Sequence, residues 1–424
     1  MNIEQNHTQD NLAPEPSSGW TTLSTAGVVI CALLIFLYPK GYILGTIILL
    51  VISITAGFYK KLTWHKNLTL LAVAIIIFTI PHIISLIQAS GDISSVKKAA
   101  RGIPLLLAGA FLIRFKPKQQ FVYASFSLSL IIAFIIMINE QMTGFDRVNY
   151  AGFNINPLMI AIVAVISFTL PNIHTNNIKL RILTYSGLLL GASTVIISSS
   201  KGAALALLTV VLIFLLMPSN FKRVSKKAYA GIICLLVLGS IALTSIGSNP
   251  LSSRFSYASH NFITHMNSNS ENQISSTAIR LELWKGALAL AQEKPIFGYG
   301  TFPAQKRMGE LYDEGYLARY MAKQTQTHFH SIYFQALGNR GVFGLFTVIL
   351  LLLIPGYILL KNKLINPTYS LSGLLVIVSY IISGIGDVSL SSTLASITYF
   401  ILMTICISQV SNYKNTALYA KANT

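Results

Sequence analysis

Long apolar runs recur along this chain and constrain its fold more than any other feature. A helix needs about 20 apolar residues to cross a bilayer, and in lipid an open chain satisfies its own backbone hydrogen bonds only as a helix or a closed barrel. Only 10% of the residues are charged, against about 25% in a soluble domain, which excludes a soluble protein. We predict an all-α polytopic membrane protein of about twelve transmembrane helices, at about 22–38, 41–59, 68–88, 102–115, 121–138, 156–171, 181–198, 202–217, 228–247, 341–360, 369–386 and 391–410.

Charged loop residues orient these helices. Sixteen of the 31 lysines and arginines lie in the even-numbered loops and the C-terminal tail, without an acidic residue among them, and six lie in the short odd-numbered loops. Cytoplasmic loops carry an excess of Lys and Arg, so both termini are predicted to be cytoplasmic. The net charge of +18 is then explained by topology, and no nucleic-acid partner is expected.

The apolar runs divide the chain into five parts. Residues 1–20 are polar and predict a disordered cytoplasmic tail, 21–247 carry helices one to nine, 248–340 form one large outward-facing loop, 341–411 carry the last three helices, and 412–424 form a second cytoplasmic tail. Each of the three cysteines lies within an apolar run. No disulfide framework or zinc site is therefore predicted.

The large loop has a pattern of its own. Residues 276–291 predict a capped helix, and the prolines and glycines of 295–300 predict a turn that ends it. A second helix is predicted from His330, separated from the tenth span by Gly338 and Gly341. The apolar stripe of the first helix is predicted to consist of Leu281, Trp284, Leu288 and Ala291.

Several cations stand at outer helix ends, where the positive-inside rule gives no reason for them. They are Lys97, Lys98, Arg101, Arg147, Lys201 and Arg280. Two interpretations remain open: contact with lipid headgroups, and a basic funnel that stabilises a polyphosphate leaving group.

The sequence carries no metal-site pattern. Glu310, Asp313 and Glu314 are predicted to face solvent, and the loop histidines show neither HExxH nor an i, i+4 pair. No metal or cofactor is predicted, although a single His can serve as a general base. In mid-membrane only His82, after Pro81, suggests a proton relay, and we interpret it as a packing residue.

One motif in the loop resembles a known family. His330 and Ser331 are followed by nine residues and then by Gly341-Val342-Phe343-Gly344, which resembles the signature of the O-antigen ligases: His, then Asn, Ser or Gln, nine residues, Gly, two residues, and Gly, Thr or Tyr. Arg280 with the following Leu-rich helix, and the glycines of 295–300, resemble the periplasmic-loop pattern that ligases share with O-antigen polymerases.

This resemblance implies a membrane-embedded, type C-like glycosyltransferase of the bacterial inner membrane, inverting and independent of metal, whose site faces the periplasm. Its donor would be a glycan on undecaprenyl pyrophosphate, and its acceptor a sugar of the lipid A core. His330 would be the general base. Arg280 and Lys201 would bind the pyrophosphate, with Arg147 and Arg101 as further candidates. Lys201 replaces a family Arg, which keeps the charge but loses the bidentate fork, and Asp387 resembles a family aspartate.

Three alternatives stay open. An O-antigen polymerase would transfer to another lipid-linked repeat, and it more often has two substantial periplasmic loops. A protein O-oligosaccharyltransferase is usually longer, with an added C-terminal domain. A lipid or sugar transporter would move its substrate without forming a glycosidic bond.

Overall fold

The structure is a computed structural model, and it describes residues 18–59, 61–89, 93–142, 154–198, 200–217, 276–318 and 328–411. Within these ranges all regular secondary structure is helical. The α-helices are α1 Ser18–Leu37, α2 Gly41–Phe58, α3 Lys66–Ala89, α4 Ile93–Ala99, α5 Gly102–Arg114, α6 Gln119–Met142, α7 Ile155–Thr169, α8 Ile178–Ile197, α9 Lys201–Leu216, α10 Ser276–Glu293, α11 Thr301–Asp313, α12 Ile332–Lys361, α13 Pro367–Gly386 and α14 Thr393–Val410. Short 3-10 helices occupy Leu170–His174 and Ser389–Ser391.

Nine of the helices in these ranges are long and apolar enough to cross a membrane, namely α1, α2, α3, α6, α7 with its 3-10 extension, α8, α12, α13 and α14. Two other predicted spans correspond to the shorter helices α5, of 13 residues, and α9, of 16 residues. The chain is therefore a polytopic α-helical membrane protein. The predicted ninth span at 228–247, the C-terminal tail and most of the N-terminal tail lie outside the described residues. The total of twelve spans thus stays a prediction.

The helices divide into lipid-facing and central ones. On α2 the exposed side chains recur every three or four residues, and they are Leu44, Ile47, Val51, Ile54 and Phe58. An apolar stripe of this kind is exposed at little cost when its solvent is lipid. In contrast, 89% of the α7 span and 94% of α14 are buried. These two helices form the centre of the bundle.

Two hydrogen bonds join helix ends that the sequence predicts to lie on the same side of the membrane. At one end of the bundle Asn67 donates to Ser411 Oγ at 3.0 Å, which joins the start of α3 to the end of α14. At the other end Ser331 Oγ donates to the carbonyl of Gly384 at 3.1 Å, which joins the start of α12 to the end of α13. In each pair the two joined helix ends are predicted to lie on one side of the membrane. The loop charges predict that the end of the bundle with Ser331 and Gly384 faces outward.

Helices α10 and α11 and the start of α12 build a small core beside the bundle. It contains Leu283, Ala287, Leu290, Ala304, Leu311, Leu317 and Phe329. The predicted stripe of α10 is wrong in part, because Leu281 and Leu288 are 41% and 48% exposed. This Leu- and Ala-rich helix offers more than one apolar face. The buried one follows Ala287, which packs where Gly338 lets α12 come close.

Candidate active site

The glycines of the two sequence motifs form a joint between the turn 295–300 and the kink in α12. Gly341 has φ 64° and interrupts the helical geometry of α12. Val342 N–H donates to the carbonyl of Pro295 at 2.8 Å, and Gly300 N–H donates to the carbonyl of Asn339 at 2.7 Å. Close contact between the two backbones is therefore a structural reason for glycine at these positions of the two motifs.

Side chains are excluded from this joint on both sides. A Cβ on Gly341 would lie 2.5 Å from the carbonyl oxygens of Pro295 and Ile296, and a Cβ on Gly298 would lie 2.5 Å from that of Asn339. Both glycines also have a positive φ, which only glycine adopts at no steric cost. The joint thus fixes the turn that follows α10 against the segment that begins at His330.

We expect Gly341→Ala to destabilise the folded protein strongly. The left-handed conformation costs a non-glycine residue about 1–2 kcal/mol, and overpacking adds about 1–3 kcal/mol. Gly309→Ala is the matched control, because a Cβ there meets nothing within 4 Å. Thermal unfolding of the detergent-purified proteins measures the difference. Equal midpoints for the two variants would contradict the joint.

His330 lies between two anchored neighbours. The backbone N–H of Phe329 donates to Gln335 Oε1 at 2.9 Å, and its carbonyl accepts from Trp284 Nε1 at 3.0 Å. On the other side Ser331 holds the carbonyl of Gly384. His330 itself has φ 50°, a left-handed conformation that costs a non-glycine residue of order 1–3 kcal/mol and clusters at functional sites. These contacts hold the backbone on both sides of His330 against α10 and α13.

Electrostatics favour the neutral form of His330. Burial lowers the pKa of the imidazole below its ordinary 6.5, and the positive charge of Arg280 and then His328 lower it further. The pKa of His328 is also lowered, first by burial and then by the positive charge of Lys98. A neutral imidazole near pH 7 is able to accept a proton.

Arg280 and Asp387 complete this group. Arg280 lies on the first turns of α10, and a Cβ on Gly386 would be 3.8 Å from its Nη1. Burial raises the pKa of the neighbouring Asp387 carboxyl, while the Val388 N–H, which donates to its Oδ1 at 2.6 Å, and the charge of Arg280 lower it. The structure therefore brings together His330, Arg280 and Asp387, which are far apart in the chain.

Lys201 lies at the same end of the bundle. It is the first residue of α9, exposed, and the adjacent Gly202 approaches the carbonyl of Ser383 near the end of α13, where an added Cβ would be 4.0 Å away. The start of α9, which carries Lys201, thus lies beside the end of α13 that leads to Asp387. An exposed Lys at this point is free of the burial cost that charges meet inside the bundle.

The guanidinium of Arg101 has hydrogen-bond partners at the start of α14. It donates to Thr393 Oγ1 at 2.7 Å, to Ser396 Oγ at 2.8 Å and to the carbonyl of Ser392 at 3.1 Å. These three bonds tie the break between α4 and α5 to the start of α14. Arg147 lies outside the described residues.

The other polar candidates have structural partners. Glu314 is exposed as predicted and Glu310 is half-buried, and both pair with Arg307, which also binds Glu293 at 2.8 Å. The hydrogen bonds from Arg307 and then from the Tyr299 hydroxyl lower the pKa of the Glu293 carboxyl to about 2, and the pairs of Arg307 tie α10 to α11. His82 is buried, with Nδ1 2.9 Å from the carbonyl of Phe78, as expected of a packing residue. In the part of the chain that the structure describes, no group of three or more His, Cys, Asp or Glu is arranged to hold a metal.

Sequence reasoning missed two members of this site. Ser331 joins α12 to α13, and Trp284 stacks on Phe334 at 4.8 Å while it holds the residue before His330. The resemblance to the ligase motif could have indicated Ser331, since the second position of that motif holds Asn, Ser or Gln, and the side chains of all three form hydrogen bonds.

Part of the chain is similar in sequence to a known family. A sequence model described as O-antigen ligase matches residues 186–349. An uncharacterised protein of Haemophilus influenzae is 25% identical over 386 residues, which cover 88% of this chain and 94% of that protein. The matched segment contains Lys201, Arg280, the joint and His330. Through this segment the chain is similar to the O-antigen ligase family.

Proposed function

We propose that this protein is an O-antigen ligase, which transfers a glycan from undecaprenyl pyrophosphate to a sugar of the lipid A core. One observation carries the proposal: His330, Arg280 and Asp387 meet at one end of the bundle, beside the exposed Lys201. A base next to cations is the combination that a hydroxyl acceptor and a pyrophosphate leaving group require.

His330 acts as the general base in this proposal. The acceptor hydroxyl attacks the anomeric carbon of the donor sugar, and its proton passes to the imidazole. The bond from that carbon to the pyrophosphate oxygen breaks, and its electron pair leaves with undecaprenyl pyrophosphate. Attack opposite the leaving group inverts the anomeric centre. The low pKa of His330 supports this role, since the base is already neutral when the acceptor arrives.

Arg280 and Lys201 stabilise the charge that grows on the pyrophosphate. The guanidinium of Arg280 presents a fork that matches phosphate oxygens, while the ammonium of Lys201 acts as a point charge. Asp387 positions Arg280 through their opposite charges. Arg101 is a further candidate for binding the pyrophosphate, and its hydrogen bonds to the start of α14 give it a structural role as well. Arg147 is a candidate for the same binding from the sequence alone.

We place the protein in the bacterial inner membrane, with both termini cytoplasmic and the site facing the periplasm. A reporter fused near Asn269 should therefore have periplasmic activity, and one fused at Thr424 cytoplasmic activity. The support is the asymmetry of loop cations. The opposite result at either position would contradict the orientation.

The rate of transfer should depend on pH through His330. A base works in its neutral form, so the rate should fall as the pH drops through a pKa below 6.5. Arg280→Gln removes a positive charge that lowers this pKa, so the acidic limb of its residual activity should move to higher pH. Lys306→Gln is the control, because the side chain of Lys306 is 82% exposed. An acidic limb that both variants leave unchanged would rule out the coupling of Arg280 to the base.

The products distinguish the proposal from its alternatives. A strain that lacks the gene should lose the ladder of glycan-bearing lipopolysaccharide bands on a gel, keep the band of the unmodified core, and accumulate lipid-linked glycan. A polymerase would instead change the length of the glycan on the core, an oligosaccharyltransferase would modify protein, and a transporter would leave lipid-linked glycan on the cytoplasmic side. Any of these three patterns in place of the first would overturn the ligase proposal.

A further inference from the structure

Beyond the kink at Gly341, α12 is as long as a bilayer is thick. The segment from Val342 to Lys361 spans about 30 Å at 1.5 Å per residue, which equals the thickness of the hydrocarbon core. Lys361 then lies at the inner boundary and Val342 at the outer one. The kink therefore marks the level of the outer membrane surface.

One face of this segment is an exposed apolar stripe. Its members follow the helical period, and they are Val342, Phe346, Ile349, Leu353, Tyr357 and Leu360. The stripe is the surface by which α12 contacts lipid. Its outer end coincides with the joint, since Val342 N–H and Phe343 N–H donate to the carbonyls of Pro295 and Ile296.

The turn after α10 continues this stripe beyond the helix. Ile296 is 62% exposed and Phe297 44%, and the Phe297 ring lies 5.8 Å from that of Phe343. Phe302, in the first turn of α11, is 53% exposed. A group of apolar side chains exposed to water raises the free energy of the protein, whereas inserting the same group into the interface of a bilayer lowers it. Lys294 borders them, and its ammonium lies 4.3 Å from the centre of the Tyr299 ring, a position from which a cation is able to reach lipid phosphates.

We propose that Ile296, Phe297 and Phe302 form a lipid anchor, which inserts into the outer leaflet at the level of Val342. The occupant is phospholipid, because Ile296 and Phe297 are joined to the outer end of the lipid-facing stripe by backbone hydrogen bonds and by the contact of Phe297 with Phe343. The neighbouring Lys294 adds a cation at the same level. The anchor holds the joint, and with it the start of α12, at a fixed height on the membrane. This proposal does not depend on the transfer reaction.

The test is the depth of a nitroxide label on the full chain in nanodiscs of phosphatidylethanolamine and phosphatidylglycerol. Cys31, Cys234 and Cys406 are first replaced by Ala, and single cysteines are then introduced as Phe297→Cys, Leu353→Cys and Asp313→Cys. Leu353 is 57% exposed on the stripe and serves as the lipid reference, whereas Asp313 is exposed at the end of α11 and serves as the water reference. Oxygen collides more often with labels in lipid, and a nickel chelate collides more often with labels in water.

We expect the ratio of oxygen to nickel collisions at Phe297 to be near that at Leu353 and several-fold above that at Asp313. A label at Ile296→Cys should agree, which protects the result from a local effect of one substitution. A ratio at Phe297 like that at Asp313 would overturn the anchor. A label that neither reagent reaches would also overturn it, because another part of the chain or a second copy would then cover the surface. None of these readings requires activity, so failure of the anchor and failure of the ligase proposal are distinguishable.

Discussion

Replacing His330 by Asn should reduce glycan transfer by about 100-fold or more, since general base catalysis contributes typically 10²–10⁴-fold. Asn is the sharper substitution than Ala, because His330 has φ 50° and Asn tolerates the left-handed region better than most residues. The backbone is thus preserved while the base is lost. The measurement is transfer by the purified variant at equal protein concentration.

His328→Asn is the matched control for this prediction. His328 is two residues away and influences the pKa of His330 only as the weakest of three causes, so its loss should be much milder. Equal transfer by His330→Asn and the parent protein would eliminate the proposed base. Equal losses in both histidine variants would show that the segment, rather than the imidazole of His330, is required.

Neutral replacements of Arg280 and Lys201 should reduce transfer by about 10²–10³-fold, the usual effect of removing one donor that is preorganised toward growing charge. Membrane levels of Arg280→Gln and Lys201→Gln should stay near the parent level. Lys201→Arg should retain activity, because it keeps the positive charge and still donates to phosphate.

Lipid-headgroup anchoring makes a different prediction for the same cations. Loss of one surface cation then costs about 1 kcal/mol of attraction to the membrane and leaves turnover nearly intact. Lys97→Gln is the control, because Lys97 is an exposed cation on α4 at the same end of the bundle. If Lys201→Gln and Arg280→Gln behave like Lys97→Gln, the cations serve the membrane and not the pyrophosphate.

Most of the helical architecture follows from the sequence, because apolar length and loop charge act locally. The helices from α1 to α3 and the helices α13 and α14 begin and end close to the predicted positions, whereas α12 begins at Ile332 rather than at residue 341. The buried face of α10 could not be predicted in the same way, since Leu281 and Leu288 compete with Leu283 and Leu290 for the core. Only the position of α12 decides between these faces.

The candidate site was predictable as a list of residues but not as an arrangement. The spaced motif indicated His330 and the outer cations indicated Arg280, yet their proximity depends on contacts between distant segments. The clearest example is Gly341, which the sequence offers as a helix break. Its contact with the carbonyl of Pro295, 46 residues earlier by their numbers, appears only in three dimensions. Arg101 is a second example. The sequence indicated it as an outer cation, but its hydrogen bonds to the start of α14 depend on a distant segment that local patterns do not reveal.

Transfer between purified substrates tests the central claim most directly. The reaction contains the purified protein, undecaprenyl-pyrophosphate glycan and lipid A core in detergent with EDTA. The account predicts lipid A core that carries the glycan, formed by the parent protein and lost in His330→Asn, with undecaprenyl pyrophosphate released in equal amount. Transfer that returns only when Mg²⁺ is added would contradict the role given to Arg280 and Lys201, and elongation of the donor without transfer to lipid A core would contradict the ligase itself.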